Sequence, residues 1–305
     1  MNKLKLITVM LAVAALVQTG DACTVVIAGK KATVDGSVLN SHTDCGPDCR
    51  IQVVPGQKYP KGTMAPVYYG ILTRNRPEMG EGEILGYIPQ VEETYTYFHS
   101  AYSHINEYQL CIGESTMSQR PELQVGKGEG KQIMTVEQAA VFALQRCKTA
   151  EEALSLITSL MEKYGFLPSC GPESECLTLA DPDKVWVLEL FSVGKDWTPE
   201  SGKPGVIWAA QRLPDDQVAI IPNWSIIKEI DLSKPDQFRA SSNYMQEAVD
   251  RGWYDPSGKH PFVWQEVYAP TPREWSTNRF WLFYETFAPG TTGIPRHTND
   301  PFKNL

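Results

Sequence analysis

Two helix-start signals set between stretches of strand-like sequence restrict the folds open to this chain more than any other feature. TVEQ at residues 135–138 is a capping box with Thr135 as the cap and Gln138 reaching back, and TAEE at residues 149–152 repeats it with Thr149 and Glu152. After the second box Leu154, Ile157, Leu160, Met161 and Tyr164 recur at helical spacing, and Gly165 supplies a stop. That stripe is core. On either side of the pair the period falls from 3.6 to 2. CTVVIAGKKATVDGSVLNSHTD, residues 23–44, reads as a hairpin: β-rich from Thr24 to Ala28, a turn at Asp35-Gly36, and a second strand from Ser37 to Thr43. Residues 50–98 are rich in Pro, Gly and Tyr and predict short strands on long connections. INEYQLCIGEST predicts a turn at Asn106-Glu107 and a strand from Gln109 to Gly113. CLTLADPDKVWVLEL turns at Asp181-Pro182-Asp183, and GVIWAAQRLPDDQVAIIPN repeats the device at Leu213 to Asp216. Strands, then two helices, then strands is the order of an α+β chain rather than of alternating βαβ units. No G-x-G-x-x-G, P-loop, H-E-x-x-H or G-x-S-x-G motif occurs.

The N-terminus predicts export. Lys3 and Lys5 precede an apolar run from Leu6 to Val17, and Gly20 and Ala22 stand at the two positions a signal peptidase reads. About a dozen apolar residues fall short of the roughly 20 a transmembrane helix needs. Residues 1–22 are therefore expected to be a signal peptide cleaved between Ala22 and Cys23, with one mature domain over residues 23–305 in a periplasmic or extracellular location. Two other readings stand beside this one. The segment is an uncleaved anchor helix, or Cys23 is a lipidation site and the chain a lipid-anchored binding protein. A lipidation signal prefers a larger aliphatic residue where this chain has Gly20. Plain cleavage leaves Cys23 with a free thiol and a free amine, whereas lipidation and acylation remove both. Removing 22 of 305 residues leaves 283, enough at 42% hydrophobic content for a sizeable core. A net charge of −8 argues against a nucleic-acid partner. No second apolar run approaches transmembrane length, so stable membrane association is expected only if Cys23 is lipidated.

Seven cysteines are an odd number for an exported chain. With Cys23 set aside, Cys45, Cys49, Cys111, Cys147, Cys170 and Cys176 remain. An oxidising compartment favours pairing. CGPDC and CGPESEC are tight Gly-Pro loops, so Cys45–Cys49 and Cys170–Cys176 are the expected bridges. Zinc is the competing use of such loops, but neither spacing is a common zinc knuckle and no histidines cluster nearby. The leftover cysteine is then Cys23. At an N-terminus it combines a nucleophile with a base: a thiol of pKa ~8.5 beside an α-amine of ~7.7–8.0 that can take its proton. Donors must then stabilise the oxyanion formed when the thiolate attacks a carbonyl.

CTVVIAGKKATVDGSVLNSHTD resembles the opening of the N-terminal-nucleophile cysteine dipeptidase family, which includes dipeptidase A and the secernins. INEYQLCIGEST, LTLADPDKVWVLEL, WAAQRLPDDQVAIIPNWSIIKEIDL and GWYDP continue in the family's order over nearly all of the mature chain. Penicillin V acylases and bile-salt hydrolases are similar at a greater distance. The resemblance implies a four-layer αββα sandwich, small peptide substrates, no metal or organic cofactor, and hydrolysis of dipeptides. It leaves an oligomer open. It also implies roles residue by residue. Cys23 would be the nucleophile with its own amine as base, and Asp44 the acid that holds that amine. Asn223, in IPNWSII, would donate to the oxyanion, and Arg279, in STNRFW, would complete the site. Members carry an arginine shortly before the acid where this chain has Ser41 and His42, which makes His42 the candidate replacement beside the thiolate. Asn106 and Glu107 match a patterned turn. Glu114 falls near a second oxyanion donor; an ionised glutamate cannot donate, so backbone N–H groups near Glu114 and Ser115 are the better donors and Glu114 suits a substrate's free amine. Family chains run on beyond the arginine block where this one reads GIPRHTNDPFKNL, so the chain is expected to be either a short variant or a fragment that lacks a C-terminal part of the family fold. An acylase that cleaves N-acyl amino acids or penicillin-type amides with the same machinery is the alternative enzyme.

Overall fold

The computed structural model describes residues 23–43, 50–69, 82–270, 274–290 and 293. Along the chain run β1 (Thr24–Ala28), β2 (Leu39–Thr43), β3 (Gln52–Val54), β4 (Met64–Tyr69), β5 (Glu83–Pro89), β6 (Tyr97–His99), β7 (Ile105–Asn106) and β8 (Cys111–Met117). The helices α1 (Val136–Arg146) and α2 (Ala150–Tyr164) follow. Then come β9 (Ser174–Ala180), β10 (Val185–Phe191), β11 (Ile207–Arg212), β12 (Val218–Ile221) and β13 (Phe238–Ala240), and finally α3 (Gln246–Asp250), α4 (Trp264–Tyr268) and α5 (Glu274–Phe287). The fold is sheet-rich α+β.

Locally coded features form where the sequence puts them. β1 and β2 pair antiparallel from Thr24↔Thr43 to Ala28↔Leu39, and Gly36 takes the φ of +78° that the connecting turn needs. The Thr149 hydroxyl accepts from the Glu152 N–H, and the Glu152 carboxylate accepts from the Thr149 N–H, so the second capping box is complete. The first is only half made. Thr135 caps Gln138, but the Gln138 side chain accepts from Tyr68 N–H and thereby ties α1 to β4. Asp181 serves two elements at once: Oδ1 accepts from Asp183 and Lys184 in the β9–β10 turn, and Oδ2 accepts from Ala150 at the start of α2.

Two sequence expectations move. The strand after Asn106 starts at Cys111 and runs to Met117, because Gln109 adopts φ +65° and the turn takes up the residues before it. The segment at Leu213 to Asp216 does not close a hairpin. β11 pairs with β10 and β13, whereas β12 pairs with β1, so this turn carries the chain from one sheet to another.

Among the described residues one sheet has eight strands in the order β13-β11-β10-β9-β8-β7-β6-β3, a second has the order β12-β1-β2, and β4 pairs with β5. β9 and β10 are buried at every position because both faces of the large sheet are covered. Trp186, Leu188 and Leu190 join the core under α1 and α2 with Leu154, Ile157 and Met161. Burying Leu188 and Leu190 contributes about 1.5–3 kcal/mol each. The alternate residues Val187 and Phe191 face a second core with Val25 and Ile27 of β1 and Ile221 of β12. The small sheet therefore lies against the face that the two helices leave open. A third cluster joins Ile220 and Trp224 to Phe280 and Phe283 of α5, with Val26 and Val218 against it.

The expected Cys170–Cys176 bridge is absent, and Cys111 and Cys147 are free as well. Cys176 points into the second core while Cys170 packs against the first, so the large sheet stands between them. Burial pushes the Cys111 thiol up to about 11, and the Cys147 and Cys170 thiols up to about 12. These behave as small apolar side chains. Cys45, Cys49 and the predicted signal segment lie outside the described residues.

Candidate active site

Cys23 directly precedes β1, is only 5% exposed, and is in no disulfide. Strand alternation puts its side chain on the same face as Val25 and Ile27, toward the large sheet. Arg279 of α5 reaches it across 256 positions of sequence. Nη1 donates to the Cys23 carbonyl oxygen at 2.7 Å and to Thr24 Oγ1, while Nη2 donates to Pro222 O at 2.8 Å and to Asn223 Oδ1 at 2.9 Å. One guanidinium fork thus joins the start of β1 to the end of β12. Burial pulls Arg279 down to about 10, with Cys23 working against that shift, so it stays cationic at neutral pH.

Asn223 lies two residues past the end of β12, with φ +59°. Its backbone N–H donates to Ser115 Oγ at 2.9 Å, and Ser115 Oγ donates in turn to Ile221 O at 3.2 Å. With Oδ1 taken by Arg279, Nδ2 donates to Thr116 O at 2.8 Å. One amide hydrogen is used there, and the other has no partner among the described residues.

His42 sits opposite Val25 in the hairpin. Cys23 is therefore its diagonal neighbour on the same face, a relation of about 7–8 Å in an antiparallel pair. His42 Nε2 lies 3.7 Å from Glu114 Oε2, and Glu114 Oε1 accepts from Thr116 Oγ1 at 3.0 Å. Glu114, Glu175 and Glu137 are all at or below 2% exposure. Burial pushes the Glu114 carboxyl up, but its interactions with the Glu175, His42 and Thr116 side chains outweigh that and hold the group below its ordinary value. Glu175 goes well above its own, through burial first and the negative charge of Glu114 second. Of the two, Glu114 therefore carries a negative charge more readily than Glu175. Burial also raises Glu137. Beside them opens a cleft of about 280 Å³ lined by Asn40, His42, Ser100, Tyr102, His104 and Cys111. A larger cleft of about 560 Å³ at the turn end of the hairpin is lined by Asp35, Gln109 and Asp181 and includes none of the candidate residues.

Cys23, Asn223 and Arg279 thus come together, with His42 and Glu114 alongside. Asn106 and Glu107 do not join them. Asn106 is spent on structure: Oδ1 accepts from Tyr108 and Leu110, and Nδ2 donates to Leu144 O and Cys147 O at the end of α1. Glu107 accepts from the Thr96 N–H. Asp44 lies outside the described residues. Sequence reasoning missed the Ser115 side chain, Thr24, Glu175 and Glu189, having named Ser115 only for its backbone N–H. The two glutamates had a signal, since each is a carboxyl inside an otherwise apolar strand, SECLTLA and VWVLELF. Ser115 and Thr24 had none. Among the described residues no three His, Cys, Asp or Glu side chains are grouped as metal ligands.

Residues 22–304 match peptidase family C69. The chain is similar to dipeptidase A of Lactobacillus helveticus, 22% identical over 92% of this chain and 57% of that protein. It is similar to a probable dipeptidase of Latilactobacillus sakei, 22% identical over 92% of this chain and 56% of the relative. A probable dipeptidase B of Lactococcus lactis subsp. lactis is 24% identical over 77% of this chain and 45% of the relative. The chain therefore spans about half the length of the curated relatives it matches.

Proposed function

This chain belongs to peptidase family C69, and from that premise we propose that it hydrolyses dipeptides with Cys23 as nucleophile. Its own α-amine, freed by removal of residues 1–22 on export, is the base. The reading is carried by the Arg279 fork, which bonds the Cys23 carbonyl with one nitrogen and the Asn223 side chain with the other. A nucleophile at a strand start and an amide donor with one unused hydrogen are thereby held by one rigid cation. In the reaction the Cys23 amine takes the thiol proton, and the thiolate attacks the peptide carbonyl carbon. The oxyanion is met by the spare hydrogen of Asn223. The C–N bond then breaks, the amine returns the proton to the leaving nitrogen, and water hydrolyses the thioester by the same relay. Asp44 holds the amine. Glu114, charged and beside His42, receives the free ammonium of the dipeptide.

The packing order supports reading the fold as an αββα sandwich: α1 and α2, the large sheet, the small sheet, then α5. An acylase would use the same nucleophile, but the negative Glu114 favours a substrate with a free amine over an N-acylated one. The test is turnover of a dipeptide against its N-acetyl form by protein whose mature N-terminus has been sequenced. Dipeptide hydrolysis that is lost in Cys23→Ala is expected. Turnover of only the N-acetyl form selects the acylase, and a lipidated N-terminus by intact mass rejects both enzymes.

A further inference from the structure

Every residue of β10 is buried, and Glu189 at its centre is 0% exposed. It alternates with Val187 and Phe191 on the face of the second core. An ionised carboxylate in such a place costs several kcal/mol unless its oxygens are satisfied. Here burial still holds the Glu189 carboxyl above its ordinary value, while donors on both oxygens work against that shift. Oε1 accepts from the Ile226 N–H at 2.7 Å and the Ile227 N–H at 3.2 Å, and Oε2 accepts from Ser225 Oγ at 2.6 Å and Trp264 Nε1 at 2.7 Å. Three of these four donors belong to the residues that follow Asn223. Gln265, next to Trp264 in α4, also donates to Ser225 O.

The backbone at Asn223 is held from both sides. Its φ of +59° lies in the left-handed region, which asparagine enters more readily than most L-residues but keeps as a single conformation only where the surroundings fix it. On the near side Ser115 and Arg279 fix it. On the far side the clamp is Glu189. A well-packed apolar side chain at this position would serve core stability as well as a buried carboxylate does. What the carboxylate adds is a directional, four-point attachment of residues 225–227 to the central sheet.

We infer that Glu189 is a positioning residue for the proposed hydrolysis, fixing the chain that leaves Asn223 and so aiming the Asn223 amide at the oxyanion. The inference rests on the role proposed for Asn223 and adds a residue that never touches substrate.

Glu189→Gln keeps the shape and one acceptor oxygen but turns an amide NH2 toward Trp264, whose indole has no acceptor to offer. On one dipeptide kcat should fall roughly 10²-fold, the scale of a small misplacement of a reacting group, with KM little changed. Alkylation of Cys23 by iodoacetamide forms no oxyanion, so its rate should stay at the wild-type value. The double variant Glu189→Gln/Asn223→Ala should be no slower than Asn223→Ala alone, because both changes remove the same donor. Losses that multiply in the double variant, or alkylation that slows in step with kcat, would overturn the inference and leave Glu189 a general packing residue. Should Glu189→Gln not fold by circular dichroism, Trp264→Phe deletes one donor and keeps an aromatic ring, and the same two readouts decide. Full activity in folded Cys23→Ala is a separate result, which removes the nucleophile reading itself.

Discussion

Arg279→Lys keeps a positive charge between Cys23 and Asn223 but takes away the fork. The guanidinium serves four acceptors on two sides: Cys23 O and Thr24 Oγ1 through Nη1, Pro222 O and Asn223 Oδ1 through Nη2. An ammonium is a single point on a flexible stem, so it can serve one side but not both. At about 1.5–3 kcal/mol for a hydrogen bond to a charged group, the two lost bonds set an upper bound of about 3–6 kcal/mol on the change in stability. Water reaching this partly buried site will reduce that figure. On the role proposed for Asn223, the catalytic effect follows from its amide, which without its Oδ1 partner is free to turn. Losing one oxyanion donor costs about 2.7–4 kcal/mol, or 10²–10³-fold in kcat. Steady-state kinetics on one dipeptide should show kcat falling by about that factor with KM nearly unchanged, while urea unfolding gives a lower midpoint. Arg279→Met should be at least as slow. A wild-type kcat in folded Arg279→Lys, or a defect confined to KM, would show that the fork does not orient the Asn223 amide.

The acidic group beside His42 gives two further outcomes. Glu175 titrates above its unfolded value, so its protonated form stabilises the fold below the ordinary carboxylate pKa of about 4.3, and that contribution is lost as pH rises through the folded value. Glu175→Gln should therefore gain stability relative to the wild type as pH rises through this window in a series of urea titrations; parallel curves would contradict a raised Glu175. Glu114→Gln should raise KM for a free-amine dipeptide far more than for its N-acetyl form, and equal effects on both would remove Glu114 from amine recognition. Brief alkylation of native protein at neutral pH, followed by peptide mapping, should label Cys23 and spare Cys111, Cys147, Cys170 and Cys176, whose thiols burial keeps protonated. Rapid labelling of those four would show that the core opens more readily than its packing implies.

What was legible in the sequence is what is local. The β1–β2 hairpin, the Thr149 capping box, the Gly165 stop and the Asp181 turn each depend on residues within a few positions of one another, and each forms where expected. The choice of sheet was not legible. Nothing in RLPDDQV says that β12 will leave its hairpin neighbour for β1, because that pairing is decided by which apolar faces meet. The same gap explains the missing Cys170–Cys176 bridge. A Gly-Pro loop brings two cysteines close in sequence, but alternation in β9 turns one of them through the sheet. At the site, Cys23, Asn223 and Arg279 were named through resemblance to a family. Their physical link through one guanidinium, and the hold of Glu189 on the Asn223 loop, are long-range contacts that no local pattern encodes.

Whether the Cys23 thiol is the nucleophile is decided by dipeptide hydrolysis with wild type and Cys23→Ala, both produced with residue 23 as the sequenced N-terminus and both folded by circular dichroism. Turnover is expected in the first and none in the second, with an acyl group on the Cys23 peptide when the wild-type reaction is quenched in acid. Wild-type turnover by folded Cys23→Ala would contradict that role.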